Sequence, residues 1–267
     1  MITFRVIGPG RAGQSLVAAL DSCPGFESRG VLGRGDRLED AASGVDLLVI
    51  ATPDGQVDKV ASSVTPVDST VVVHLSGSLG LDVLVPHRRT GSVHPLVPLP
   101  DPERGAQRLA SGITFAVAGD PLTETVVTAL TGRAVSVDDR DRDSYHAAAS
   151  IAANHMVALI GQVERVAGVA GLSLDAFSGL MHAALDDALS FGPRRALTGP
   201  AARGDWDTIE RHRQALSSLP GHRSELAAYD AMVALARRLA MGVESGESGT
   251  SGESGTQASD ATGEQVA

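Results

Sequence analysis

Three glycines, Gly8, Gly10 and Gly13, stand in the spacing G-x-G-x-x-G within the segment VIGPGRAG. They follow a β-branched run at Thr3–Ile7 and open a helical stretch at Ala12–Asp21. In that setting the first glycine permits a tight turn and the second lets backbone approach a pyrophosphate. The third lets the helix pack closely on the strand. Phosphates would meet the unpaired N–H groups at the helix start, where Arg11 and Ala12 sit. The chemistry implied is dinucleotide binding. An ordinary glycine-rich turn is the competing reading, and three glycines alone do not separate the two.

The next residues bear on which dinucleotide. An NAD site carries an acid at the end of the second strand, where it accepts from the ribose 2′-OH. Here Gly30-Val31-Leu32 runs into Gly33-Arg34-Gly35, and Arg34 stands about 20 residues past Gly13, where the acid is expected. A guanidinium pairs bidentately with a 2′-phosphate that a carboxylate would repel. That favours NADP(H). Asp36, two residues on, would restore an acid, with Arg37 as a second cation beside it; a solvated loop arginine is the plain alternative for Arg34. The apolar strand DLLVIATPD ends in Thr52-Pro53, and ligands of such sheets lie beyond the carboxyl ends of the strands. Thr52 and Pro53 are therefore expected to border the nicotinamide half, Pro53 as a stiff wall.

Hydride transfer to a carbonyl or imine needs a proton donor and a cation for a substrate carboxylate. His94 precedes Pro95 after a short strand, and a histidine there suits proton donation near neutrality. A structural loop histidine is the alternative. Ser76, in His74-Leu75-Ser76-Gly77-Ser78, stands at another strand end and could bond the carboxamide or substrate; a plain turn serine reads equally well. His74, inside a valine run, reads as a satisfied core histidine. His146, Ser150 and Asn154 step by four along a helix and fall within about 80° of one face, which Gly161 and Glu164 extend. His155 falls opposite. A polar stripe of this kind is either a substrate face or a solvent edge. Arg203, in LTGPAARGD, is the candidate for the substrate carboxylate, from the same or a partner subunit, with a surface arginine as the alternative. The eight histidines have no ligand spacing, so no metal is expected.

These residues need elements to hold them. Strand-like runs at Thr3–Ile7, Gly30–Leu32, Asp46–Ala51, Thr70–Leu75, Gly91–Val93, Thr114–Val117 and Arg133–Val137 alternate with helical stretches at Ala12–Asp21, Gln56–Ser63 and Pro121–Thr131. That alternation predicts an α/β domain with a doubly wound parallel sheet over residues 1–141. The chain then turns alanine-rich. Helices are expected at about Asp143–Ala167, Leu174–Leu189, Trp206–Ser217 and Arg223–Met241, punctuated at Gly192-Pro193, Gly199-Pro200 and Pro220-Gly221. This predicts an all-α substrate and dimerisation domain over 142–242. The acid–base run Asp138–Asp143 reads as a solvated helix start. Residues 243–267 carry five acids, no base and little to bury, so a disordered acidic tail is expected.

Composition excludes other classes. The net charge of −10 argues against nucleic acid, and one cysteine, Cys23, rules out disulfide frameworks and thiolate zinc sites. No apolar run is long enough to span a bilayer, and the start reads as a strand rather than an export signal. A cytoplasmic setting, a small carboxylate-bearing substrate and a homodimer are the expectations.

VIGPGRAG, the VIATPD strand end and a following helical domain resemble the β-hydroxyacid dehydrogenase class, which includes ketopantoate reductase, pyrroline-5-carboxylate reductase and prephenate dehydrogenase. HLSG (74–77), GSVHPL (91–96), YHAAASIAANH (145–155) and LTGPAARGD (197–205) are similar to a bacterial family with a Rossmann-like domain and a C-terminal domain long of unknown function. Some of its members resemble an alternative type of ketopantoate reductase. The resemblance implies NADPH-dependent reduction of a 2-oxo acid, with Asn154 carried over from a Lys-x-x-x-Asn pair. The lysine is not: Ser150 holds its place, and Lys59 is the only lysine in the chain. A His-Pro like His94-Pro95 also occurs in prephenate dehydrogenase. The missing lysine keeps two other readings open, an imine reductase and a non-catalytic NADP sensor.

Overall fold

Buried strands must pair every backbone N–H and C=O, so the apolar runs of the first half assemble into one sheet. The computed structural model describes residues 1–219 and 222–242. Seven strands, β1 (Ile2–Ile7), β2 (Phe26–Leu32), β3 (Leu47–Ile50), β4 (Val71–His74), β5 (Thr90–Pro95), β6 (Thr114–Gly119) and β7 (Arg133–Ser136), lie in the order β2-β1-β3-β4-β5-β6-β7. The chain steps outward from β1 to β2, then crosses to β3 on the other side of β1. The switch point falls at the glycine loop, where open α/β sheets bind their ligands. β1 to β5 are parallel. The expectation of an all-parallel sheet needs one correction: β6 runs antiparallel to β5, and β7 is parallel to β6.

Both faces of this sheet are covered. Helices α1 (Arg11–Asp21), α3 (Pro102–Leu109) and α4 (Leu122–Ala129) share a core with Phe4, Val6, Leu47, Val49 and Phe115. On the other face α2 (Val57–Ser63) and a turn at Leu81–Leu84 pack against Ile7, Leu48, Ile50 and Val72. Alternate residues of β3 serve the two cores, which is why LLVI is apolar throughout and buried at every position. Helix α3 was not expected from periodicity. Its start is encoded by Asp101, whose side chain accepts from the Arg104 N–H, and by Pro102 in the first turn.

The expected single helix over 143–167 is interrupted. It comprises α5 (Arg142–Ser150), a π-helical turn at Ile151–His155 and α6 (Met156–Val169). The chain divides into two compact units, Met1–Leu159 and a second from Ile160 onward, so the first runs beyond 141 into α6. The second unit adds α7 (Ser178–Phe191), α8 (Pro193–Ala196), α9 (Pro200–Arg203), α10 (Trp206–Ser217) and α11 (His222–Met241). Within it Arg165 Nε donates to Glu225 Oε1 at 2.6 Å and Gln162 Nε2 to the Glu225 carbonyl at 2.9 Å, tying α6 to α11. The expected break at Pro220-Gly221 and the acidic tail at 243–267 lie outside the described residues. Among the described residues no single helix is long and apolar enough to cross a membrane.

Candidate active site

The glycine loop is built by contact at two positions and by openness at the third. Gly8 has φ +116°, and a Cβ there would sit 2.6 Å from the Ala51 carbonyl oxygen and 3.0 Å from the Thr52 nitrogen. A Cβ on Gly13 would overlap the Gly8 carbonyl and crowd Val6 and Ala51. Around Gly10 nothing lies within 4 Å of a Cβ position. Gly10 is also the N-cap of α1, which has neither a side-chain cap nor an acid in its first turn. The N–H groups of Arg11, Ala12 and Gly13 therefore have no acceptor among the described residues at the positive end of the helix. This is a cradle for a phosphate.

Beyond β2 the charges separate. Asp36 Oδ2 accepts from the Gly33 N–H at 2.7 Å, so its carboxylate is folded back onto the loop. Arg37 pairs with Glu39 at 3.2 Å. Arg34 is exposed and has no ion pair among the described residues. Gly33 brings this loop beside the first: a Cβ on it would be 3.2 Å from Pro9 Cγ. The donor set fits a phosphorylated dinucleotide: an open cradle, an uncapped helix start, and the guanidinium groups of Arg11 and Arg34, neither in an ion pair among the described residues. Thr52 Oγ1, two residues past β3, is buried without a partner among the described residues, and Pro53 follows it in an extended conformation.

The rim at the carboxyl ends of β3, β4 and β5 is polar and interconnected. Asp54 Oδ2 accepts from Ser76 Oγ and from Ser78 Oγ, both at 2.8 Å. Ser76 Oγ in turn accepts from the N–H groups of Ser78 and Leu79 at 3.2 Å. Ser76 is thus an organiser of the loop, its hydroxyl spent within the protein. His74 is fully buried; its Nδ1 accepts from the Ser76 N–H, so Nε2 carries the proton and donates to the Gly80 carbonyl, both at 3.2 Å. Burial holds its pKa below the ordinary histidine value. The expectation of a satisfied core histidine is met.

His94 lies within β5 rather than after it, opposite Ala116 of β6, an extended position compatible with the proline that follows. Its Nδ1 is 2.5 Å from Tyr145 Oη, and the His146 ring lies 6.1 Å away, edge-on. Gly77 makes room for both: a Cβ there would be 2.8 Å from His94 Cε1 and 3.0 Å from His146 Cδ2. Burial first, and next the neighbouring His146 ring, pushes the His94 pKa down to about 4. Burial pushes Tyr145 up to about 12. At neutral pH a phenol therefore meets a neutral imidazole.

Two expectations require correction. The run Asp138–Asp143 is not simply solvated: Arg142 is 2% exposed, donating from Nε to Asp139 at 2.8 Å and from Nη2 to Ser92 Oγ at 2.5 Å. An alternating acid–base run does not reveal which of Arg140 and Arg142 turns inward. Asp139 is held below the usual carboxylate range, first by the Arg142 bond, and also accepts from the Leu81 N–H at 3.2 Å. The second correction concerns the stripe. His146 and Ser150 share the half-buried face of α5, but Asn154 lies in the π-helical turn and is exposed. The extra residue of that turn rotates everything after it by about 100° against an uninterrupted α-helix. Gly161 and Glu164 leave the stripe, and His155 is no longer opposite it. Arg203 is in the second unit, exposed at the end of α9 and followed by Gly204 in a left-handed conformation. Tyr145, Arg142 and Asp54 were not singled out in the sequence, although Tyr145 adjoins His146 and Asp54 ends the ATPD segment. Among the described residues no group of three or more His, Cys, Asp or Glu is placed to hold a metal ion.

Residues 35–100 match a profile described as a Rossmann-like domain, and residues 111–236 match a domain of unknown function, DUF2520. No match was found among curated proteins. Protein TM1727 from Thermotoga maritima shares the fold at 22% identity, with 90% of this chain and 98% of that chain covered and a TM-score of 0.69. BF3122 from Bacteroides fragilis, described as an NADP oxidoreductase, matches at 17% identity, with coverage of 89% and 98% and a TM-score of 0.71. Pyrroline carboxylate reductase from Plasmodium falciparum, with NADP bound, matches at 12% identity, with coverage of 90% and 98% and a TM-score of 0.57.

Proposed function

We propose that this chain, a Rossmann-like domain joined to a DUF2520 domain, binds NADP(H) and reduces a small carboxylate-bearing 2-oxo acid, ketopantoate being the favoured substrate. The observation that carries this reading is the pairing of an open phosphate cradle at Gly10 with Arg34, past β2, which has no ion pair among the described residues. Gly8, Gly10, Arg11, Ala12 and Gly13 would hold the pyrophosphate, Arg34 the 2′-phosphate, and Thr52 and Pro53 the nicotinamide end. Ser76 would shape the rim through Asp54. When bound, the cofactor supplies a hydride. His94 and Asn154 would polarise the substrate oxygen, and Ser150 and His146 would flank it; Arg203, of this or a partner subunit, is the residue we assign to the carboxylate. The helical unit exposes Leu180 (68%) and Leu189 (78%), apolar surface that a second copy would cover in a homodimer.

A second reading is imine reduction, as in pyrroline carboxylate reductase. It is favoured by the absence of any lysine near the rim: Lys59, the only one, lies in α2. The test is NADPH oxidation by the purified chain with ketopantoate and, separately, with pyrroline-5-carboxylate, beside an NADPH-binding titration. Turnover of the first supports the oxo-acid reading and of the second the imine reading. Tight binding with neither turned over favours an NADP sensor, and no NADPH binding overturns all three.

A further inference from the structure

Tyr145 joins two features that the binding of cofactor and substrate leaves unused. On one side its hydroxyl meets His94 Nδ1 at 2.5 Å, with no other hydrogen-bond partner among the described residues. On the other it forms the wall of an open cleft lined by Ser136, Val137, Asp138, Asp141 and Ser144. His94 Nε2 likewise has no protein partner among the described residues, and it sits at the carboxyl end of β5 beside the Asp54–Ser76 rim. A phenol has one proton to give. Given to Nδ1, it fixes the imidazole as the Nε2–H tautomer, and the unpartnered nitrogen becomes a donor.

We propose that Tyr145 is the positioning residue of a two-step proton relay in which His94 Nε2–H protonates the substrate and Tyr145 refills His94 Nδ1 from the outer cleft. This rests on the reductase reading above. Bound NADPH would give its hydride to the carbon of the C=O or C=N bond and leave as NADP+. The π electron pair moves to the heteroatom, which takes the proton from His94 Nε2 while Nδ1 takes the proton of Tyr145. His94 stays neutral in its other tautomer, and Tyr145 is left as a phenolate. Burial raises the Tyr145 pKa to about 12, and the positive charge of Arg142 offsets part of that cost to the phenolate. A solvent proton then returns through the cleft to the phenolate, and once product has left the ring gives up Nδ1–H to water as it regains Nε2–H, which restores the starting tautomer. A neutral imidazole cannot do this alone, because losing Nε2–H without gain at Nδ1 would leave an imidazolate.

The groups that act on His94 are His146 and Arg142 from α5, His74 from β4 and Asp54 at the end of β3. Burial, together with all but Asp54 among these, disfavours an imidazolium, so the relay works between neutral forms. This also gives a lysine-free route to the proton that the reduction requires.

The test has one arm that needs no turnover. In nitrogen-15 spectra of histidine-labelled full-length protein, with His94 assigned by His94→Gln, the ring should be neutral and Nε2-protonated at pH 7. Tyr145→Phe should mix the tautomers. A ring found Nδ1-protonated, or as imidazolium at pH 7, overturns the proposal. In the second arm Tyr145→Phe should lower kcat about 100-fold, a usual size for lost proton transfer. NADPH affinity and KM should stay within about twofold, and the curved proton inventory of the wild type should become linear. Unchanged kcat in Tyr145→Phe also overturns the relay. A wild-type chain that binds no NADPH fails the reductase reading and the relay with it, an outcome distinct from a bound cofactor with an indifferent tyrosine.

Discussion

Ser92 Oγ accepts from Arg142 Nη2 at 2.5 Å, so the middle of β5 and the first residue of α5 share a charge-assisted hydrogen bond in the protein interior. Arg142 Nη1 is buried with no hydrogen-bond partner among the described residues. The guanidinium therefore depends on two bonds, one to Ser92 and one to Asp139. Removing the serine hydroxyl leaves a second orphaned nitrogen on a charge that cannot be neutralised. Ser92→Ala is expected to cost about 1.5–3 kcal/mol, the range for hydrogen bonds to charged groups. Urea unfolding followed by circular dichroism measures it, and a loss below about 0.5 kcal/mol would show that solvent replaces the serine.

The glycine loop predicts opposite outcomes for two substitutions three residues apart. Gly10→Ala meets open space, so unfolding midpoints should hardly move, whereas NADPH affinity should fall at least tenfold as the methyl enters the phosphate cradle. Gly13→Ala overlaps the Gly8 carbonyl, so it should destabilise the first unit by about 1–3 kcal/mol, as overpacking does. Thermal melts with and without NADPH separate the two effects. Equal behaviour of the two variants would remove the distinction between packing glycine and ligand glycine.

Arg34→Glu places a carboxylate where a 2′-phosphate would dock. Two charge-assisted bonds at about 1.5 kcal/mol each predict a loss of about 100-fold in the preference for NADPH over NADH. Asp36→Ala should leave that preference in place, because the Asp36 carboxylate is turned onto Gly33 N–H and serves the loop. The check is a pair of binding titrations, one per cofactor, on each variant. A wild type that holds both cofactors equally would refute the role given to Arg34.

The parts legible in the sequence are those written in local patterns. The glycine spacing, the double-sided apolar run of β3 and the helices α1 and α10 each follow from periodicity and punctuation within a few residues. What escaped depends on neighbours distant in the chain. The antiparallel turn of β6 and the inclusion of His94 in β5 arise from pairing across the segment that contains α3. The π-helical turn at Ile151–His155 has no signature in alanine-rich sequence, and it alters every face read beyond it. Tyr145 carries no spacing signal either; its meeting with His94 spans 51 residues. Ser76 had the opposite fate: a plausible ligand by position, it is consumed by Asp54, 22 residues earlier.

The depressed titration of His94 has a consequence for stability. In the unfolded chain the ring binds a proton as pH falls through 6.5, whereas the folded ring resists until about 4. Between these values the unfolded state holds more protons, so folding stability declines as pH falls across that window and is fully present above it. His74, buried and also lowered, adds in the same direction. The slope from one such group is at most about 1.4 kcal/mol per pH unit. His94→Gln removes the ring that must stay neutral, so the variant should lose less stability than wild type between pH 6.5 and 4. Urea midpoints at pH 7, 6 and 5 for both proteins measure the difference. Parallel pH profiles would mean that His94 protonates in the folded state with little penalty.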